Sequence, residues 1–143
     1  MTTKPIQNKI NATSEQINRY LDLLTDAHKA KENAYCRYSS FQVGAAVLAK
    51  DGNVIKGCNV ENASYGLTMC AERTALFKAT SEGYKPGDFE AIAIAASADD
   101  FSPCGACRQV ISEFGDDIVV IFDFGGETVI NTLAGILPYN FKL

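Results

Sequence analysis

Two short stretches constrain this chain more than any other part of it: Cys70-Ala71-Glu72-Arg73 and Pro103-Cys104-Gly105-Ala106-Cys107-Arg108-Gln109. Each stands at the head of an apolar helical pattern, the first running from Ala71 to Ala79 and the second from Ala106 to Phe114. A proline just ahead of a helix fits the first turn, where a missing N–H costs nothing. Cys104 and Cys107 are three residues apart and share a face of one helical turn. Side chains in a first turn lean toward the helix N-terminus, so Cys70 and Glu72 both point forward into a common space. If the two helix starts meet, three thiolates converge with a carboxylate beside them.

A catalytic zinc takes three protein ligands and keeps a fourth position for water, whereas a structural zinc is usually closed by four. Glu72 then has a task, since a metal-activated water needs a base to accept its proton. Two helix N-termini aimed at the site, with Arg73 and Arg108 nearby, offset part of the thiolate charge. A lone Cys-x-x-Cys fits a redox pair or a zinc-ribbon fragment equally well. The upstream Cys-Ala-Glu is what turns the reading toward a metal-assisted reaction.

The chain resembles the cytidine deaminases of the small three-cysteine type, which act on free nucleosides and share the zinc-deaminase signature. The resemblance runs from about Tyr35 to Phe141. It rests on four motifs in matching order and spacing: Tyr38-Ser39-Ser40-Phe41-Gln42-Val43-Gly44-Ala45-Ala46, Asn59-Val60-Glu61-Asn62-Ala63, Cys70-Ala71-Glu72-Arg73-Thr74-Ala75 and Ser102-Pro103-Cys104-Gly105-Ala106-Cys107-Arg108-Gln109. The resemblance implies one Zn²⁺ per chain on Cys70, Cys104 and Cys107, with Glu72 as the proton shuttle; the place of Arg73 in the same first turn gives it the task of balancing thiolate charge. The resemblance also implies that Phe41 packs on the pyrimidine and that Asn59 and Glu61 grip the ribose 3′-hydroxyl. The Ala71 N–H would bind the 2-oxo group, and the Ser102 carbonyl would accept from the 4-amino group. It further implies a homotetramer in which Tyr65 and Phe141 of neighbouring chains close over the substrate. Alone, Asn59-x-Glu61 reads as a turn with solvated side chains. Two departures from the family pattern stand out: Arg37 where a proline is common, and Ala134-Gly135-Ile136-Leu137-Pro138 in place of a Glu-Leu-Leu-Pro stretch.

Composition narrows the partners. The formal net charge is −4 and no basic cluster is visible beyond Lys29 and Lys31, so the footprint needed to neutralise a polynucleotide backbone is missing. A small free substrate is expected, with no nucleic acid and no membrane, because no run of apolar residues is long enough to span one. The first 35 residues intersperse Lys4, Lys9, Glu15, Asp22 and Asp26 among apolar positions, unlike a secretory leader. A cytoplasmic location follows as the expectation. Cys36 and Cys58 read as small buried apolar residues, and His28 as an exposed or half-packed helix residue, so zinc has to live on sulfur.

The 143 residues suit one domain, 1–143, with 1–12 expected to fray. Thr13 and Gln16 form a capping-box pattern, followed by helical spacing of Ile17, Tyr20, Leu21, Leu24 and Ala27 to about Tyr35. Strands are expected at 41–49, 54–60, 92–98, 118–123 and 127–131, with a hairpin turn at Asp51-Gly52-Asn53 and a short last helix at 132–137. The result is an α/β fold, three-layer α-β-α with a five-stranded mixed sheet. Three rivals use the same residues differently: a deaminase of another aminopyrimidine such as blasticidin S, a non-catalytic zinc-binding module, and a thiol–disulfide protein on Cys104 and Cys107.

Overall fold

The structure is a computed structural model that describes residues 4–143. Its centre is set by two apolar strands. β2 (Val43–Ala49) is buried at every position, and β4 (Phe89–Ala96) at all but two. Side chains alternate across a strand. In β2, Val43, Ala45, Val47 and Ala49 enter one core cluster while Ala46 and Leu48 enter the other. In β4, Ile92 and Ile94 join the first, and Ala91, Ala93 and Ala95 the second. The small alanine face receives α1 (Ser14–Lys31) through Tyr20, Leu23, Leu24 and Ala27. The isoleucine face receives α2 (Ala71–Ser81), α3 (Gly105–Phe114) and the short α4 (Leu133–Ile136). This is the expected three-layer arrangement.

The remaining strands are β1 (Ile6–Asn8), β3 (Val54–Cys58), β5 (Val119–Phe124) and β6 (Glu127–Thr132). They complete a sheet in the order β1-β6-β5-β4-β2-β3. The pairs β1–β6 and β4–β5 are parallel, and the others are antiparallel. The sheet therefore has six strands rather than five. The additional one comes from the segment expected to fray: Ile6, Gln7 and Asn8 pair with Thr128, Val129 and Ile130. Three residues carry no legible alternation, and their stabilising partner lies at the far end of the chain. The Gln7 amide also donates to Glu127 over 2.7 Å. Residues 1–3 of that segment lie outside the described residues.

The capping box at Thr13 is present in both directions. α1 stops at Lys31 instead of continuing to Tyr35, because Tyr35 is drawn to the sheet edge. Its N–H donates to Asn59 O (3.0 Å) and its carbonyl accepts from Glu61 N (2.8 Å). The same bridge ends β3 at Cys58, two residues short of expectation. Two glycines let helices approach the sheet. A Cβ on Gly44 would lie 2.1 Å from Ala27 O of α1, and one on Gly57 would lie 2.5 Å from Ala75 N of α2.

Candidate active site

β3 leads through a loop and one 3-10 turn, Tyr65–Leu67, into α2, and β4 leads through Ser97–Pro103 into α3. Both helices start on the isoleucine face, and each is capped by a cysteine with extended backbone. Cys70 (φ −72°, ψ 153°) caps α2 and Cys104 (φ −64°, ψ 162°) caps α3. Cys104 Sγ accepts from the Cys107 N–H at 3.5 Å, as a capping serine oxygen would. Cys70 Sγ makes no such cap and instead takes a hydrogen bond of 3.2 Å from the Arg73 guanidinium. Pro103 stands just outside the helix, one residue before its cap.

The sulfurs of Cys70, Cys104 and Cys107 lie within 4.8 Å of one another, and they are the metal-binding cluster found among the described residues. Zinc–sulfur bonds of about 2.3 Å set a tetrahedral edge of about 3.8 Å, so the donor set fits Zn²⁺. Cys36 and Cys58 stay apart from it as half-buried free thiols. The thiol of Cys107 donates to Cys70, which pulls Cys70 down to about 5, with Arg73 adding to the effect and burial opposing it. That same hydrogen bond, together with burial, pushes Cys107 up. Metal ligation by cysteine takes the thiolate form, so binding a metal here releases protons.

Glu72 is 1% exposed, and its Oε1 has no hydrogen-bond partner. Burial raises its pKa first, and the neighbouring Cys70 charge adds to the rise. An orphaned buried carboxyl oxygen is costly to maintain, and here it faces a cavity of about 220 Å³. Phe41, Asn59, Ala71, Glu72, Ser102 and Cys104 all line that cavity, so most of the residues named from sequence converge. Phe101, Val43, Thr68 and Met69 line it as well and were missed. Phe101 had a signal, since it stands beside Ser102-Pro103-Cys104; its ring lies 6.1 Å from that of Phe41 at 34°. A larger hollow of about 550 Å³ around Lys50, Asp51 and Tyr84 has no sulfur near it, and we place the chemistry in the smaller one.

The structure separates the Asn59–Glu61 pair. The Asn59 amide is spent inside the chain, accepting from Val43 N (2.9 Å) and donating to Phe41 O (2.8 Å). Glu61 instead lines a second hollow of about 450 Å³ with Tyr38, Ser39, Tyr65 and Thr68. Its carboxylate accepts from Tyr38 N (2.9 Å), Ser39 N (3.1 Å) and the Ser39 hydroxyl. These bonds, led by the hydroxyl, hold its pKa below the usual carboxylate value. Thr68 borders both hollows and makes them neighbours. Tyr65 is 76% exposed and Phe141 67%, and neither lines the inner cavity of its own chain. Arg73 is turned to sulfur, but Arg108 is turned to backbone carbonyls.

Residues 17–123 match the family described as the cytidine and deoxycytidylate deaminase zinc-binding region. The chain belongs to this deaminase family. The match contains both cysteine motifs and Glu72. This deaminase is 52% identical over 124 residues to a cytidine deaminase of Halalkalibacterium halodurans, an alignment covering 83% of this chain and 91% of the other. It is 48% identical over 123 residues to a cytidine deaminase of Sporosarcina psychrophila, covering 84% and 89%. The crystal structure of cytidine deaminase from Burkholderia pseudomallei superposes with a TM-score of 0.81 at 47% identity, covering 85% of this chain and 98% of that one.

Proposed function

We propose that the protein is a zinc-dependent cytidine deaminase, converting cytidine and deoxycytidine to uridine and deoxyuridine with release of ammonia. The observation that carries this reading is the buried carboxyl of Glu72, with an unpartnered oxygen, beside three clustered sulfurs at an apolar cavity. Cys70, Cys104 and Cys107 hold one Zn²⁺, which when bound supplies a Lewis-acidic position that makes water a nucleophile near neutral pH. The phenylalanines Phe41 and Phe101 flank the flat pyrimidine ring. The Ala71 N–H is in the first turn of α2, where it has no intrahelical acceptor, and it donates to the 2-oxo group. The Ser102 carbonyl accepts from the 4-amino group.

Glu72 carries the protons. Its carboxylate accepts one as water adds to C4 and delivers it to ring N3. It then transfers a second proton from the new hydroxyl to the amino nitrogen, and ammonia leaves as the C4 carbonyl forms. One water is consumed, and one carboxylate acts as base and then as acid. A raised pKa, caused by burial, suits a group that must hold and release protons in one cycle.

The sugar occupies the second hollow, where Glu61 meets a ribose hydroxyl, and Asn59 holds the wall formed by Phe41 and Val43. The active form is a homotetramer. The exposure of Tyr65 and Phe141 supports this reading, because aromatics left on the surface of a loop and a tail are suited to a contact. Among the described residues no helix is long and apolar enough to cross a membrane; a cytoplasmic place of work is part of the proposal. The test is ammonia release from cytidine, deoxycytidine, CMP and cytosine, with Glu72→Gln as the control. That variant is expected to keep its zinc and lose roughly 10²–10⁴-fold in kcat. Full activity in Glu72→Gln, or purified protein without zinc, would overturn the mechanism.

A further inference from the structure

We propose that Arg108 is the positioning residue that holds the Ser102-Pro103-Cys104 segment in its working orientation, and that it couples this segment to α4. The inference rests on the zinc reading given above. Arg108 immediately follows Cys107, and its cationic side chain would ordinarily be expected to face the sulfurs. It does not. Its Nε donates to Pro103 O at 2.8 Å, and one terminal nitrogen donates to Ile136 O at 2.7 Å. Both bonds are part-buried, and bonds from a charged donor are about twice as strong as neutral ones.

The geometry of the first bond decides what it controls. The Pro103 carbonyl belongs to the peptide that joins Pro103 to Cys104. The rotation of that peptide sets where the Cys104 backbone begins, and Cys104 is the cap whose sulfur joins the metal cluster. The residue before Pro103, Ser102, lines the cavity beside Glu72. Proline has no N–H, so this segment lacks the backbone donor that would otherwise fix it. Arg108, one turn further along α3, provides the fixing contact from the side-chain layer. A planar guanidinium with rigidly placed donors can serve two carbonyls at once, which an ammonium does less well.

The second bond reaches out of the site altogether. Ile136 is the last residue of α4, a helix of four residues that contains Gly135. A Cβ at Gly135 would meet the Asn131 side chain at 2.3 Å. The small residue leaves room for the Asn131 side chain of β6 beneath α4, whose final carbonyl meets Arg108. The C-terminal segment, which departs from the family pattern, is in this way tied to a zinc ligand through one side chain.

The experiment measures zinc release from the purified holoenzyme to a chromogenic chelator, well below the Tm, alongside kcat and KM for cytidine. Arg108→Gln is expected to release zinc at least tenfold faster than wild type, with a lower kcat, and Arg108→Lys to recover part of the retention. Arg108→Met, which keeps an apolar stem of similar length and removes both donors, is expected to speed release in the same direction. It also serves if Arg108→Gln does not fold. A lower Tm in these variants with unchanged zinc release and kcat would mean that Arg108 is structural only, and would overturn the proposal. Wild-type protein that holds no zinc would instead overturn the reading beneath it.

Discussion

Replacing Gly57 by alanine puts a methyl group where β3 touches α2. The new Cβ would sit 2.5 Å from Ala75 N, 2.8 Å from Ala71 O and 2.9 Å from Ala75 Cα. All three are backbone atoms. Non-bonded carbon atoms settle at about 3.5–4.0 Å, so α2 must back off by roughly 1 Å. Overpacking costs about 1–3 kcal/mol, and an obstacle made of helix backbone places this case near 3 kcal/mol. For a chain of this size that lowers Tm by roughly 10 °C. The displaced helix begins with Cys70, Ala71 and Glu72. A misplacement of about 1 Å at a reacting group costs on the order of 10²-fold, so kcat/KM should fall by about that factor in chains that remain folded. Gly44→Ala provides the contrast. Its Cβ would lie 2.1 Å from Ala27 O and 2.3 Å from Lys31 N, a harder clash but against α1 on the opposite face of the sheet. It should lose at least as much stability while the folded enzyme keeps kcat/KM within a few-fold. Thermal melts followed by circular dichroism, with ammonia release assayed well below either Tm, make the comparison. Equal activity losses in the two variants, or wild-type activity in Gly57→Ala at a lowered Tm, would refute the reasoning.

Arg73→Gln removes the guanidinium that donates to Cys70 Sγ; losing that cation raises the pKa of the acids around it, so activity should drop and the rising limb of the pH–rate profile should move to higher pH. An unchanged profile at full activity would deny Arg73 this role. His28 has its pKa lowered in the folded chain, first by burial and then by Lys31, whose Nζ lies 3.2 Å from Nδ1. The unfolded chain therefore binds the proton more readily, and stability falls as pH drops from above the unfolded value of about 6.5 through the lower folded one. Tm measured across that range should decline less in His28→Gln, and identical curves would count against it. Deleting Tyr139–Leu143 should raise KM strongly while zinc content is unchanged. Dissociating and reassembling that protein with Glu72→Gln should restore part of the activity if chains share their sites; no recovery, with a sedimentation mass of one chain for active wild type, would make each site complete by itself.

The metal cluster was legible in the sequence because its geometry is local. A cysteine cap and a residue three positions on define each half, and burial of two apolar helix faces on one sheet brings the halves together. Strand β4 was legible for a similar reason, since its apolar run admits only a central place. The β1 strand was not, because nothing within Ile6–Asn8 indicates a partner at Thr128–Ile130. The separate hydrogen-bond partners of Asn59 and Glu61 were not legible either. Two residues apart on a strand face the same side, but β3 ends at Cys58, and residues 59–61 pair with Tyr35 beyond it. Asn59 then turns inward to satisfy the backbone of Phe41 and Val43, while Glu61 caps the turn at Tyr38 and Ser39. Arg108 eluded sequence reading because charge type says nothing about which carbonyls a guanidinium will find.

The distance between β1 and its partner also orders events on the ribosome. A nascent chain emerges at about 5–20 residues per second. Ile6–Asn8 leave long before their partner, since Gln7 and Glu127 are 120 residues apart in the chain. The hairpin of β2 and β3 is local and can form early, and β4 completes the central strands. All three sulfur ligands are translated before β5 begins. Until β6 follows, β1 has no strand to join and the sheet ends on an open side. The ligand set for the metal is thus complete while that side is still exposed, and a growing chain can capture zinc before β1 is sewn into place.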